Sequence, residues 1–200
     1  MAQPVFYLLA GPNGAGKSTL FGAATAEGLI PAEAEFVNAD LFEAAELQHI
    51  ADALLRSTQA RLWADRRRAE LLTAGQSFVS ETVFSHASKL ALIDLAQRRG
   101  FAVVLLVVCL DDPKQLLARV RQRVEEGGHD VPAERILARY PRTLRHLAQA
   151  VRLADLAMLY DTGHSGKDKV NRPLRVAVCR GQKTRRLVKN LPKWAELVLG

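Results

Sequence analysis

The sequence predicts an α/β fold of three layers, with a mostly parallel central sheet packed between helices. Three observations carry this. Strand-like apolar runs alternate along the chain with segments whose apolar residues recur at helical spacing. The first run, VFYLLA at 5–10, passes straight into a glycine-rich turn and then a helix. The run FAVVLLVVCL at 101–110 is apolar throughout, as expected of a strand buried on both faces at the centre of a parallel sheet.

The elements follow in order. The strand at 5–10 is followed by a helix over 18–26 and a short strand at 35–38. A long helical region over 41–74 comes next, with a break expected near Ser57. Leu47, Ile50, Leu54, Leu55, Leu62, Leu71 and Leu72 give it its period. Gly75 ends it, a strand is expected at 77–80, and the helix over 87–99 stops at Gly100. Asp112-Pro113 opens a helix that runs through Val124, with Asp as cap and Pro in its first turn. Residues 133–154 read as one or two helices, and late strands are expected at 156–160 and 174–179. There is no internal repeat or low-complexity linker. Residues 1–200 are therefore expected to form a single domain that includes the basic segment 163–200.

Composition sets limits. A chain of 200 residues, 48% hydrophobic, suits one domain with a sizeable core. No apolar run is long enough to span a bilayer, and the N-terminus lacks the order of a signal peptide. Cys109 and Cys179 lie in apolar strands and read as reduced core residues of a cytoplasmic protein. The net charge of +7 is unevenly placed: residues 163–200 hold ten lysines and arginines against two acids, a net of +8. Such a segment could grip nucleic acid. Its one aromatic residue is Trp194, so a solvated basic surface is the reading and nucleic acid is not the expected partner.

The turn carries the chemistry. Gly11-Pro12-Asn13-Gly14-Ala15-Gly16-Lys17-Ser18 fits the phosphate-loop (P-loop) template at every specified position, and Thr19 follows it. The glycines let backbone N–H groups converge on phosphate oxygens. Lys17 is placed to reach the β- and γ-phosphates, Ser18 to ligate Mg²⁺, and the helix that follows points its positive end at the same anion. The expected ligands are ATP and Mg²⁺, in a P-loop NTPase/kinase-like fold whose active site lies beyond the carboxyl ends of its strands.

Three strand ends supply candidates. Val37-Asn38-Ala39-Asp40 puts a carboxylate opposite the terminal phosphate, where it can take a proton from an attacking hydroxyl. Asp before Leu-Phe-Glu is also a common helix cap, and the residues alone leave both roles open. Ser80-Glu81-Thr82 puts a second carboxylate and a hydroxyl on the same rim, with a plain surface glutamate as the blander alternative. Asp111-Asp112 follows an apolar strand in Walker-B fashion but is set aside as a metal site, because Asp112-Pro113 is a helix start. The helix it opens carries Arg119 and Arg123 on one face and ends at Gly127-Gly128-His129. Cations followed by a double-glycine hinge suggest a helical lid that closes on the transferring phosphoryl group; a solvated basic helix is the alternative. Only His129 is placed near the site, while His49, His86, His146 and His164 read as surface or core residues.

Together GPNGAGKST, VNAD, GQSFVSETVF, ARVRQRVEEGGHDVPAERILARYPRTL and LADLAMLYDTG resemble the zeta toxin family over residues 5–163. The resemblance implies an ATP-dependent kinase that phosphorylates a sugar hydroxyl of UDP-N-acetylglucosamine. By position it implies Asp40 as catalytic base, Lys17 as phosphate-binding lysine, and Arg119 and Arg123 as lid arginines. It also places Glu81 on the substrate side, with Thr82 and Asn38 beside it. Val83 stands where the family often has threonine, and Asp161-Thr162-Gly163 where it usually has Asp-Asn-Ser; both departures bear on the sugar pocket. A separate small antitoxin protein is the implied partner. Competing readings are a kinase for another acceptor (a nucleotide, a dinucleotide or a polynucleotide 5′ end) and a nucleotide-binding regulatory module.

Overall fold

Strands of Val, Leu, Ile and Phe without polar alternation must be covered on both faces, and this requirement organises the chain. The structure, a computed structural model, describes residues 2–126, 131–163 and 172–200. β1 (Val5–Ala10) is followed by α1 (Lys17–Ala26), β2 (Glu35–Val37), α2 (Ala39–Glu46), α3 (Ala53–Ala74) and β3 (Phe78–Thr82). Then come α4 (Ser88–Arg98), β4 (Ala102–Cys109), α5 (Pro113–Glu125), α6 (Ala133–Leu153) and β5 (Leu156–Asp161). The chain closes with β6 (Leu174–Arg180), β7 (Lys183–Arg186) and α7 (Lys193–Leu199).

One seven-stranded sheet has the order β2-β3-β1-β4-β5-β6-β7. The first five of these are parallel, and β6 and β7 are antiparallel additions. β1 lies between β3 and β4, so the loop that leaves it emerges at the centre of the sheet's carboxyl edge. Helices α3, α4, α6 and α7 cover one face, where Phe6, Phe78, Leu105, Leu147 and Trp194 are buried. α1 and α5 cover the other, over Leu9, Leu106 and Val108. The three-layer α/β class is the one the sequence predicts.

Several boundaries differ from the sequence expectation, each for a local reason. The long helical region breaks at 47–52, not near Ser57. Asp52 caps α3 by accepting from the N–H groups of Leu54 and Leu55, while Ser57 donates to Leu54 O inside that helix. Leucine periodicity runs through the gap and hides the cap. α6 is one helix despite Pro141. The carbonyl that loses its helical partner, at Leu137, belongs to an exposed residue. β3 extends to Thr82, which puts Glu81 inside the strand.

β7 and α7 are absent from the sequence expectation. β7, KTRR, is exposed at all four positions and has no apolar signal. α7 is short, but it buries Trp194 to 1% exposure, and the indole Nε1–H donates to Asp161 Oδ1 at 2.9 Å. Asp111 caps the same helix through the N–H groups of Lys193 and Trp194. Among the described residues, no helix is long and apolar enough to cross a membrane. Cys109 and Cys179 are both buried and free, and burial pushes the Cys109 thiol up to about 12.

Trp194 ties the C-terminal helix to the end of β5 by packing and by a buried hydrogen bond. Trp194→Ala should therefore cost about 3–5 kcal/mol of stability, read as a lowered urea midpoint. A loss within the ±0.5 kcal/mol of a surface substitution would show that α7 is only loosely attached.

Candidate active site

Close packing fixes the P-loop before any ligand is considered. A Cβ at Gly11 would lie 2.0 Å from Val108 O, and one at Gly14 would lie 2.5 Å from Leu116 O. Both are impossible contacts with backbone, so glycine is required for approach as well as for the φ of +79° at Gly14. Gly11 N–H donates to Thr82 O, and Ala15 N–H donates to Pro12 O. Gly16 is the N-cap of α1 and offers no side-chain acceptor, so the first-turn N–H groups at Ser18 and Thr19 remain available to an anion. Lys17 is buried to 7% exposure. Its ammonium donates to Gly11 O and Pro12 O and lies 3.5 Å from Glu81 Oε1.

Beside the loop is a cavity of about 250 Å³, lined by Gly14, Gly16, Lys17, Ser18, Thr19, Glu81, Arg119, Arg123 and Thr162. It continues into two more. One of about 380 Å³ is shared by Ser18, Asn38, Asp40, Glu43, Arg56, Glu81 and Arg123. The other, of about 550 Å³, reaches Asn13, Lys17, Asp40, Arg61, Arg135 and Arg139. Glu81 and Arg123 border all three. The loop and the α2–α3 side thus form one cleft.

Asn38 has a role the sequence did not assign. Its Oδ1 accepts from the N–H groups of Asp40 and Leu41, which makes Asn38, and not Asp40, the cap of α2. Its Nδ2 donates to Glu81 Oε2 at 3.2 Å. Asn38, expected as a substrate contact, thus also braces the Glu81 carboxylate against the first turn of α2. The Thr82 hydroxyl accepts from Phe84 N–H and its carbonyl from Gly11 N–H, so it clamps β3 to the loop. The turn after it is sharp. Phe84, fully buried, has φ +60°, and its carbonyl accepts from His146 Nδ1.

Arg119 and Arg123, one turn apart on α5, both face the loop cavity. Arg119 Nη1 donates to Thr162 Oγ1 and Nη2 to Thr162 O, while Thr162 Oγ1 donates to Ala15 O. Burial lowers the Arg119 pKa, against the opposing pull of Asp161. Gly127, Gly128 and His129, the expected hinge, lie outside the described residues, as does His164. Asp111 and Asp112 are spent as caps of α7 and α5.

Sequence reasoning did not single out Glu43, Arg61, Arg135 or Arg139, and met Thr162 only as a departure from the family's Asp-Asn-Ser. Arg135 and Arg139 are four apart on α6, a spacing visible in ERILARY, but nothing in it says which face is inward. The Arg139 guanidinium is pushed below its usual value by burial and by the charges of Arg135 and Arg142. The far wall of the cleft is cationic.

A family profile described as AAA domain matches residues 7–147. No curated protein matches the chain. Among solved structures, a chain of the PezAT chromosomal toxin–antitoxin system of Streptococcus pneumoniae is similar at 19% identity and TM-score 0.60, covering 85% of this chain and 70% of that one. AvrRxo1-ORF1:-ORF2 with ATP is similar at 20% identity and TM-score 0.63, covering 98% and 62%. A putative kinase from Chloroflexus aurantiacus has 20% identity and TM-score 0.51, covering 64% and 70%. The chain thus spans 62% of the length of its AvrRxo1 neighbour. These likenesses share a P-loop kinase fold.

Replacing the loop cation isolates its contribution. Lys17→Ala deletes a charge-assisted contact of about 1.5–3 kcal/mol, so ATP binding by calorimetry should weaken roughly 10–150-fold. Unchanged affinity would remove the phosphate assignment from this loop.

Proposed function

The chain belongs to the AAA domain family, and on that premise we propose that it is an ATP-dependent kinase of zeta-toxin type, which transfers the γ-phosphoryl group to a hydroxyl of a UDP-amino sugar such as UDP-N-acetylglucosamine. The observation that carries the reading is Asp40. It borders the cavities that also contain Ser18, Lys17 and Glu81, in the first turn of a helix whose cap Asn38 already provides. A protein that only binds nucleotide needs no carboxylate there.

In the proposed reaction the acceptor oxygen bonds to the γ-phosphorus, the bond from that phosphorus to the β-bridging oxygen breaks, and ADP leaves. The hydroxyl proton passes to the Asp40 carboxylate. Lys17 and the α1 N–H groups hold the phosphates, and Arg119 and Arg123 stabilise charge on the transferring group. The oxygen donors Ser18 and Glu81 line one cavity and fit Mg²⁺, which when bound neutralises charge on the β- and γ-phosphates. Among the described residues no three His, Cys, Asp or Glu side chains could hold a metal unaided, so phosphate oxygens and water would have to complete its shell.

Arg61, Arg135 and Arg139 support an acceptor that already carries phosphate, as a UDP-sugar does, since the cations of α6 crowd one another across the cleft from Asp40. Val83 borders the same space, where a threonine would offer a hydroxyl. Two buried free thiols fit a reducing cytoplasm. A separate antitoxin chain is the proposed protein partner, by likeness to the PezAT toxin–antitoxin system.

Asp40→Asn tests the base. The amide keeps the size, Asn38 still caps α2, and transfer should fall about 10²–10⁴-fold with ATP affinity little changed. The readout is acceptor phosphorylation beside the ATP dissociation constant. Transfer at the parent rate would reduce Asp40 to a surface residue.

A further inference from the structure

The antiparallel addition β6–β7 has an open face. Residues directly opposed across antiparallel strands share a face, and the register, which shifts at a bulge between Leu159 and Tyr160, sorts this hairpin. Tyr160 opposes Arg175, Met158 opposes Val178, Val178 opposes Arg185, and Arg180 opposes Lys183. Met158, Tyr160 and Val178 belong to the core on the α1–α5 side, so all four cations project on that side. The helices there pack over the parallel strands, whereas the helix that packs on β6 is α6, from the opposite face. Arg175, Arg180, Lys183 and Arg185 are all exposed.

Four cations side by side repel, guard the β7 edge against strand pairing, and form a positive field that attracts polyanions. None of the four has a carboxylate within 4.0 Å among the described residues. Arg175 Nη1 rests on Met158 Sδ at 3.7 Å, which lays its guanidinium along the sheet surface. Glu27 acts on Tyr160 and Glu33 on Tyr7 from the same side of the sheet.

We propose that this sheet face binds the phosphate backbone of a nucleic acid. A row of three arginines and a lysine neutralises successive phosphates by charge. Trp194, the only aromatic residue of the segment, is buried, so bases have no stacking platform and recognition is independent of sequence. An anionic membrane is the poorer fit, because Val178, the one apolar residue among these cations, is half-buried and offers nothing to insert. The face is also separate from the cleft. β6 runs antiparallel to β5, so Arg180 and Lys183 stand beside the start of β5, at the sheet edge opposite the P-loop, and the bound polynucleotide is a tether or location signal and not the phosphate acceptor.

The test is fluorescence anisotropy with labelled 20-nucleotide single strands of two unrelated sequences and with a duplex of the same length. Both single strands should bind alike, with affinity falling as salt rises. The triple variant Arg180→Gln/Lys183→Gln/Arg185→Gln should lose at least about tenfold in affinity, and its salt slope should flatten by about 2 at 0.7 per phosphate contact. ATP affinity should be unchanged, and Arg185→Lys, which keeps the charge, should bind nearly as the parent does. Parent protein that fails to bind at low salt would overturn the proposal. So would a triple variant that binds as well as the parent, or vesicles with phosphatidylserine that bind in preference to the oligonucleotides.

Discussion

The structure depends on the pressing of the phosphate loop against the backbone of β4 and α5. Gly11 lies under Val108 O and Gly14 under Leu116 O, with no room for a Cβ at either. That contact is possible because β1 is held between β3 and β4, so the loop emerges with a strand end on each side. β3 supplies Glu81, and beyond it the end of β2 supplies Asn38. β4 leads into α5 and the two arginines that face the loop. A loop a few tenths of an ångström higher would lose the Gly11–Thr82 hydrogen bond and the seat of Lys17.

From that seat, charge balance orders the cleft. Lys17 faces Glu81, Glu81 is held by Asn38, and Asn38 caps the helix that carries Asp40. Glu81 and the start of the helix that carries Asp40 therefore stand in one hydrogen-bonded chain rooted at the loop, and the arginines of α5 and α6 line the same cleft. The end of β5 joins the same assembly from the other side. Thr162 ties Arg119 to Ala15, and Asp161 next to it holds the C-terminal helix through Trp194. Changes at the chain's end are thus connected to the loop by two residues.

Much of this was legible in the residues. The glycines and lysine of the loop, the apolar run of β4 and the Asp-Pro start of α5 each act through local physics that a sequence displays directly. The break between α2 and α3 was misplaced because its signal is a single cap, Asp52, set inside unbroken leucine periodicity. β7 was invisible because an edge strand of charged residues has no hydrophobic alternation, and only its pairing with β6 makes it a strand. In the site, Asp40 and Asn38 were both noticed but their tasks were not separated, since capping is decided by which oxygen reaches the N–H groups. Arg61, Arg135 and Arg139 come from helices far apart in sequence, and only tertiary packing shows that they share a cleft.

Phosphorus NMR of ATP with UDP-N-acetylglucosamine and Mg²⁺ tests the proposed transfer most directly, because it reports the fate of the γ-phosphoryl group itself. A kinase with Asp40 facing a nucleotide-linked acceptor should yield a new phosphomonoester resonance on the sugar that grows in step with ADP. ADP accompanied only by inorganic phosphate, or no loss of ATP at all, would contradict it.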